Sequence, residues 1–228
     1  MRKVLILVLI FVCCIVFGCK NRNPDPEKVD RVNIAFDDWV GYGLFYLAQE
    51  KGFCKEEGID LDIIFEPLDS ARRDALKQRI LDFEGGSLGL LVLKAAQDIP
   101  VVMVMELDLS YGADAIVSSK EIKSIEDLLN KKIALSRDDA GEHFISYLFY
   151  KKNLPFSKLK IIPTKPGNVA TDFIKGKVDA CVTWEPQVSK ALQRSGAHVL
   201  ATTRDYPGII IDSLNVRRDI LEKRPDLV

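Results

Sequence analysis

Residues 32–65 read VNIAFDDWVGYGLFYLAQEKGFCKEEGIDLDIIF, which predicts a strand, a helix and a second strand in succession. The runs VNIAF and LDIIF are short and apolar, as is typical of buried strands. Between them Leu44, Leu47 and Ala48 recur at helical spacing, and Gly52 indicates where the helix ends. A unit of this kind joins two parallel strands of an α/β sheet.

The remainder of the chain repeats this alternation. Short apolar runs predict further strands at residues 81–84, 101–105, 115–119, 132–136, 159–163 and 178–182. Helical periodicity predicts helices at residues 70–80, 88–97, 142–151, 168–175 and 185–194, and a capping-box pattern from Ser124 to Asp127 predicts the start of another. The run VVMVM at residues 101–105 is apolar throughout, so we expect it to be fully buried. Strands too apolar to face water indicate a mostly parallel sheet that is covered by helices on both faces.

The number of strand–helix units is too large for one small sheet and predicts two α/β lobes. The chain is expected to cross into the second lobe near residues 112–117 and to return near residues 209–216. Residues 32–113 and 210–228 would then form lobe 1, and residues 114–209 would form lobe 2.

The N-terminus has the pattern of a secretory signal. Arg2 and Lys3 precede residues 4–17, which carry no charge, and a Gly–Cys pair follows. A charged start, an apolar run of ~7–15 residues and a small residue before the cleavage point are typical of a signal peptide, here residues 1–18. The run is short for a membrane span, which needs ~20 apolar residues, and an uncleaved anchor is the alternative.

The sequence VFGC at residues 16–19 resembles a bacterial lipobox, in which the cysteine becomes the lipidated first residue of the mature protein. Cys19 is therefore the predicted lipidation site, and the lipid would hold the protein on the extracytoplasmic side of a membrane. Two acyl chains anchor a protein far more stably than one. Residues 19–31 are polar and contain Pro24 and Pro26, which indicates a tether that buries no apolar surface.

Charge and cysteine content narrow the possible functions. The chain has 32 Lys and Arg residues against 33 Asp and Glu residues, which does not favour nucleic acid as a partner. Two cysteines, Cys54 and Cys181, lie in the body of the chain. An exported protein could pair them in a disulfide, but one pair has no framework spacing, and we favour two free thiols.

Candidate ligand-binding residues follow the ends of predicted strands, because open α/β sheets bind ligands outside the carboxyl ends of their strands. The candidates are Asp38, Trp39, Tyr42, Ser87, Ser110, Glu142, His143, Trp184 and Glu185. Several have a structural alternative: core packing for Trp39, a helix N-cap for Ser87, a helix surface for His143, a capped helix start at Trp184 and Glu185, and solvated loop surfaces for the carboxylates. We expect Trp184 to provide an aromatic platform and Glu185 a carboxylate acceptor.

Four stretches resemble the binding proteins for nitrate, sulfonates, taurine and the pyrimidine precursors of thiamine. They are DDWVGYGLFYLAQEKGFCKEEGIDLDII, SYGADAIVSSKEIKSIEDLLNKKIAL, GKVDACVTWEPQVSKA and DSLNVRRDILEKRPDL, in the family's order from about residue 32 to the end of the chain. The resemblance implies a type II periplasmic-binding fold whose two lobes close on a small molecule. Members of that family continue well past the equivalent of Pro225, so lobe 1 is expected to be incomplete at its C-terminus, and a truncated, non-functional fragment is one alternative.

The ligand class is indicated by the acidic residues near the predicted cleft, which are Asp37, Asp38, Glu84, Asp108, Asp138, Asp139, Glu142 and Glu185. Arg137 is the one basic residue among them. A sulfonate is usually held by Arg or by helix N-termini, so this balance favours a neutral or cationic heterocycle such as an aminopyrimidine over sulfonate, taurine or nitrate.

The predicted function is therefore that of a monomeric solute-binding lipoprotein that serves the permease and ATPase of an ABC importer. No cofactor, metal site or catalytic residue is expected, since the sequence has no metal-ligand spacing and no nucleotide-binding glycine motif. Two alternatives remain: an enzyme on the same two-lobed fold, such as a pyrimidine synthase or a dehydratase, and a sensory or scavenging lipoprotein without a transporter.

Overall fold

The computed structural model describes residues 29–228, which form two five-stranded sheets. The predicted signal peptide, the lipidated Cys19 and most of the predicted tether lie outside the described residues. The strands are β1 (Asp30–Phe36), β2 (Ile59–Phe65), β3 (Phe83–Ser87), β4 (Val101–Leu109), β5 (Asp114–Ser118), β6 (Lys132–Leu135), β7 (Lys160–Pro163), β8 (Ala180–Trp184), β9 (His198–Thr202) and β10 (Ile211–Arg217).

Helices connect the strands and cover the sheets. They are α1 (Gly43–Lys51), α2 (Phe53–Glu56), α3 (Asp69–Lys77), α4 (Leu88–Ala96), α5 (Ala140–Lys151), α6 (Val169–Ile174), α7 (Gln187–Ala191) and α8 (Arg218–Lys223). Within residues 29–228, none of these helices combines the length and the apolar character that crossing a membrane requires.

The two sheets have the same topology. The strand order is β2-β1-β3-β10-β4 in the first sheet and β7-β6-β8-β5-β9 in the second. In each sheet one strand runs against the other four, β10 in the first and β5 in the second. These are the strands that begin just after the chain has crossed from one sheet to the other. Two mostly parallel sheets flanked by helices agree with the predicted two-lobed fold, and the exact lobe boundaries and the incomplete first lobe stay predictions.

The prediction that residues 101–105 are fully buried is wrong. These residues begin β4, which lies at the edge of the first sheet and has a neighbour on one side only. Met105 is 47% exposed. An apolar run indicates that a strand is hydrophobic, but the position of the strand in the sheet decides how much of the strand is buried.

The helix predicted from Ser124 is only a single 3-10 turn, Glu126–Leu128. The local capping chemistry is present, because the backbone N–H of Asp127 donates to the Ser124 hydroxyl and the Ser124 N–H donates to the Asp127 carboxylate. Asn130 then takes a left-handed φ of 63°, which turns the chain into β6 before a helix can extend.

The two lobes are covered to different degrees. In the second lobe, Ile116, Phe144, Leu148 and Phe149 are almost completely buried and belong to one apolar cluster. In the first lobe, α1 has no buried residue, and apolar side chains such as Leu44 are exposed.

A cluster of buried charges lies beneath the first sheet's carboxyl edge. Lys94 of α4 is fully buried and pairs with Asp69 (2.5 Å) and Glu84 (3.0 Å). Arg72 of α3 lies 3.6 Å from Asp69, 3.8 Å from Glu84 and 3.5 Å from Asp37. A buried charge is tolerated only when it is paired, so these residues depend on one another.

Removing the Lys94 ammonium should therefore destabilise the protein strongly. We expect Lys94→Ala to lower the free energy of unfolding by ~3–5 kcal/mol, because two buried carboxylates lose their nearest positive charge and keep only more distant arginine side chains. Lys177→Ala removes one partner of an exposed ion pair with Asp172 and should lower the free energy of unfolding by at most ~1 kcal/mol. Urea unfolding measures both values, and equal losses would contradict the interdependence of the buried cluster.

Candidate functional site

A small cleft lies between the two sheets and takes its lining from both. The lining residues are Asp37, Trp39, Tyr42, Ser87, Leu90, Asp114, Asp139, Ala140, Trp184, Ile210 and Asp212. They come from the carboxyl ends of β1, β3, β6 and β8 and from the first residues of β5 and β10. A reversed strand begins at the edge where its neighbours end, so the two reversed strands contribute their starts to the same cleft.

The first wall of the cleft is aromatic and fixed by close packing. Trp39 donates its indole N–H to Asp108 (2.8 Å). Tyr42 is buried, stacks on Phe36 with 4.7 Å between ring centroids, and donates its hydroxyl to Asp212 (3.0 Å). A side chain at Gly41 would collide with both Trp39 and Asp108, so only glycine allows this approach.

Four carboxyl groups line the cleft, and burial raises the pKa of each. The pKa of Asp212 rises to about 8, through burial and then through the nearby Asp108. The pKa of Asp139 rises to about 7, through burial and then through Asp37. The pKa of Asp114 rises to about 6 through burial, against the hydrogen bond from Ser110. Burial also raises the pKa of Asp37, against the opposing effect of Arg72.

Direct contacts between the lobes border the cleft. Arg73 of α3 donates to Asp138 of the second lobe at 2.6 Å. The ring of His143 on α5 packs so tightly against Gly89 on α4 that a side chain at position 89 would overlap it. This ion pair and this close helix contact join the lobes at the rim, and beyond the effect of burial, Asp37 across the cleft contributes to the raised pKa of Asp139.

Residues 40–228 match the NMT1/THI5-like family. The chain belongs to the NMT1/THI5-like family. This confirms the resemblance to the nitrate, sulfonate, taurine and thiamine-precursor binding proteins that the sequence motifs indicated.

Individual members and solved structures place this NMT1/THI5-like chain among longer proteins. A Brucella abortus (strain 2308) protein, provisionally named a binding protein, is 25% identical over 201 residues, which cover 87% of this chain and 62% of that one. The taurine-binding periplasmic protein of Escherichia coli (strain K12) is 24% identical over 180 residues, which cover 77% and 55%. The alkanesulfonate-binding protein SsuA from Xanthomonas axonopodis pv. citri, bound to MOPS, superposes with a TM-score of 0.73 at 18% identity over 88% of this chain and 70% of that one. The likeness to SsuA confirms the periplasmic-binding-protein fold, and the chain spans less than two thirds of the length of the two named sequence relatives.

Four of the nine predicted ligand-binding residues lie in the cleft lining of this family member: Trp39, Tyr42, Ser87 and Trp184. Ser110 lies behind the cleft lining, where its hydroxyl donates a hydrogen bond to the Asp114 carboxyl. Asp38 lies on a separate groove with Glu66 and Lys165.

Three other predicted site residues make local contacts instead. Glu185 accepts hydrogen bonds from the backbone N–H and hydroxyl of Ser189, both at 3.0 Å, and so caps α7. Glu142 accepts from Arg137 and from the backbone N–H of Asp138. His143 faces Gly89 at the contact between the lobes.

Two acidic lining residues, Asp114 and Asp212, are not among the sequence candidates, and neither are the apolar Leu90, Ala140 and Ile210. Both carboxyl groups lie at the start of a strand, whereas the predicted site residues follow the carboxyl ends of strands. The sequence does mark these positions, because an aspartate lies at or near the start of each strand that follows a predicted crossing between the lobes. Asp37 and Asp139 did belong to the acidic residues expected near the cleft.

The described residues 29–228 contain two cysteines and no cluster of potential metal ligands. No group of three or more His, Cys, Asp and Glu side chains in this range could hold a metal ion. Cys54 and Cys181 are free, which confirms the preference for two thiols over a disulfide. Burial raises the pKa of the Cys181 thiol to about 12.

The buried carboxyl of Asp212 should make stability depend on pH. Its folded pKa of about 8 lies above the unfolded value of ~3.9, so its contribution is complete below pH ~4 and is lost as the pH rises through 8. We expect the free energy of unfolding of the wild type to fall from pH 5 to pH 9. That of Asp212→Asn should fall less over the same range, and the difference between the two falls should be on the order of a few kcal/mol.

Urea unfolding at each pH measures the two profiles. Asp60→Asn, which alters an exposed carboxyl far from the cleft, controls for the loss of one acidic residue. Parallel profiles for the wild type and Asp212→Asn would contradict a buried, protonated Asp212.

Proposed function

We propose that this protein is the extracytoplasmic solute-binding component of an ABC-type importer. It captures a small polar molecule between its lobes and delivers it to a permease that is driven by an ATPase. The observation that carries the proposal is the cleft itself, whose lining joins residues of both sheets around two tryptophans and four carboxyl groups. Family membership and the names of the relatives, which are binding proteins, support binding over catalysis.

The ligand that fits this cleft best is an aminopyrimidine of the thiamine-precursor type. No Lys or Arg is among the residues that line the cleft within the described chain, whereas a bound anion is usually held by such side chains. Trp39 and Trp184 offer aromatic surface for a planar ring, and carboxyl groups accept hydrogen bonds from amino groups. The relatives named for taurine and alkanesulfonates bind acidic molecules, so ligand choice would differ within the family.

A thermal-shift screen tests the ligand class. A ligand that binds only the native state raises the unfolding free energy by ~2.7 kcal/mol at a hundredfold excess over its Kd. We expect aminopyrimidines to raise the melting temperature more than thiamine, taurine, an alkanesulfonate or nitrate does.

Two variants that replace an alanine with phenylalanine test the position of the site. Ala140→Phe fills the cleft and should abolish the shift, because Ala140 lines it. Ala96→Phe adds the same bulk at an exposed helix end and should leave the shift intact. A shift that survives Ala140→Phe would place the ligand elsewhere.

The proposed cellular location depends on Cys19 and the sequence VFGC. A lipid-anchored protein should take up a fatty-acid probe during growth, and Cys19→Ser should not, because the acylated thiol is removed. Cys54→Ser removes a different thiol and should be labelled like the wild type. Equal labelling of the Cys19→Ser variant would rule out this anchor.

A further inference from the structure

Each lobe presents a hydrogen-bond donor beside a carboxyl group on adjacent strands. In the first sheet Ser87 of β3 is the register partner of Asp212 of β10. In the second sheet Trp184 of β8 is the register partner of Asp114 of β5. All four residues line the cleft. Directly opposed residues of antiparallel strands project to the same side with Cβ atoms ~4.5–5.5 Å apart, so each pair can contact one edge of a small molecule.

The two donors are buried without a partner. Ser87 is 2% exposed and Trp184 is 7% exposed. The Ser87 hydroxyl and the Trp184 indole N–H make no hydrogen bond within residues 29–228. Ser87 does not cap α4, although it occupies the N-cap position. A buried donor without an acceptor destabilises the protein, and a ligand acceptor in the cleft would recover that loss.

The two carboxyl groups are each held by a hydroxyl on one oxygen. Tyr42 donates to Oδ1 of Asp212, and Ser110 donates to Oδ2 of Asp114. The other oxygen of each carboxyl has no hydrogen-bond partner in the described part of the chain. Each carboxyl is therefore oriented by the protein and, in its ionised form, keeps one oxygen as an acceptor for a donor in the cleft.

We propose that the Ser87–Asp212 and Trp184–Asp114 pairs select a ligand edge in which an N–H group lies next to an unprotonated ring nitrogen. The N–H group donates to the carboxyl, and the ring nitrogen accepts from the serine hydroxyl or the indole N–H. This assignment rests on the proposed binding function and makes these four residues specificity-determining. Sulfonate and nitrate offer acceptors only, so they satisfy the donors and leave the ionised carboxylates without a hydrogen-bond donor.

Two isomers isolate this edge. In 4-aminopyrimidine the amino group is adjacent to a ring nitrogen, and in 5-aminopyrimidine it is not, although the atoms are the same. Calorimetric titration of the full chain should show at least about tenfold tighter binding of 4-aminopyrimidine. Ser87→Ala and Trp184→Phe should each reduce this preference several-fold, the second without loss of the aromatic ring. Ser157→Ala removes an exposed hydroxyl away from the cleft and should retain the wild-type preference.

The outcomes separate this inference from the function on which it rests. Equal affinity for the two isomers, or an unchanged preference in both variants with wild-type melting temperatures, overturns the inference. Failure of both isomers to bind also overturns it; if taurine or an alkanesulfonate then binds, the solute-binding function stands with a different ligand class. If none of these compounds binds, the proposed function fails as well.

Discussion

The reversed strands β5 and β10 are the constraint on which the rest of the structure depends. Each runs against the other four strands of its sheet, and each begins where the chain has just passed from one lobe to the other. Their first residues therefore lie at the carboxyl edge of the neighbouring strands, in the space between the sheets. This geometry places Asp212 beside Ser87 and Asp114 beside Trp184, and it gives the two lobes matching contributions to one cleft.

Carboxyl groups in such a position need support from the residues around them. The hydroxyl of Tyr42 orients Asp212, and Tyr42 is itself fixed by stacking on Phe36. A Cβ at Gly85 would lie 2.5 Å from Phe36 and 2.7 Å from Tyr42, so this packing requires glycine there. Behind Asp37, Arg72 supplies the nearest positive charge, at 3.5 Å. The buried ion pairs of the first lobe thus contribute to the cleft by stabilising the wall that carries it.

The alternation of strands and helices could be predicted from the sequence because it depends on local periodicity. The direction of β5 and β10 could not, since a strand's orientation is set by its partners in the sheet. Trp184 and Glu185 show the same limit of sequence-based prediction for two adjacent residues. Trp184 ends β8 and lines the cleft, but at Glu185 the chain turns, and its carboxylate caps α7. Adjacent positions at a strand end face different surroundings, which composition alone does not distinguish.

The charges in the cleft connect ligand binding to the contact between the lobes. Burial raises the pKa of both Asp37 of the first lobe and Asp139 of the second, and a charged Asp37 further disfavours the charged form of Asp139. Arg73 and Asp138 oppose this repulsion with a single pair at the rim, where Asp138 is half exposed and the pair is screened by solvent. A ligand that brings N–H donors between the carboxyl groups reduces the repulsion and adds contacts to both sheets. A ligand stabilises a closed state only by its difference in affinity between the open and closed states. Under the proposed function, that difference would arise from carboxyl groups of both lobes, which a bound donor would contact together in a closed cleft.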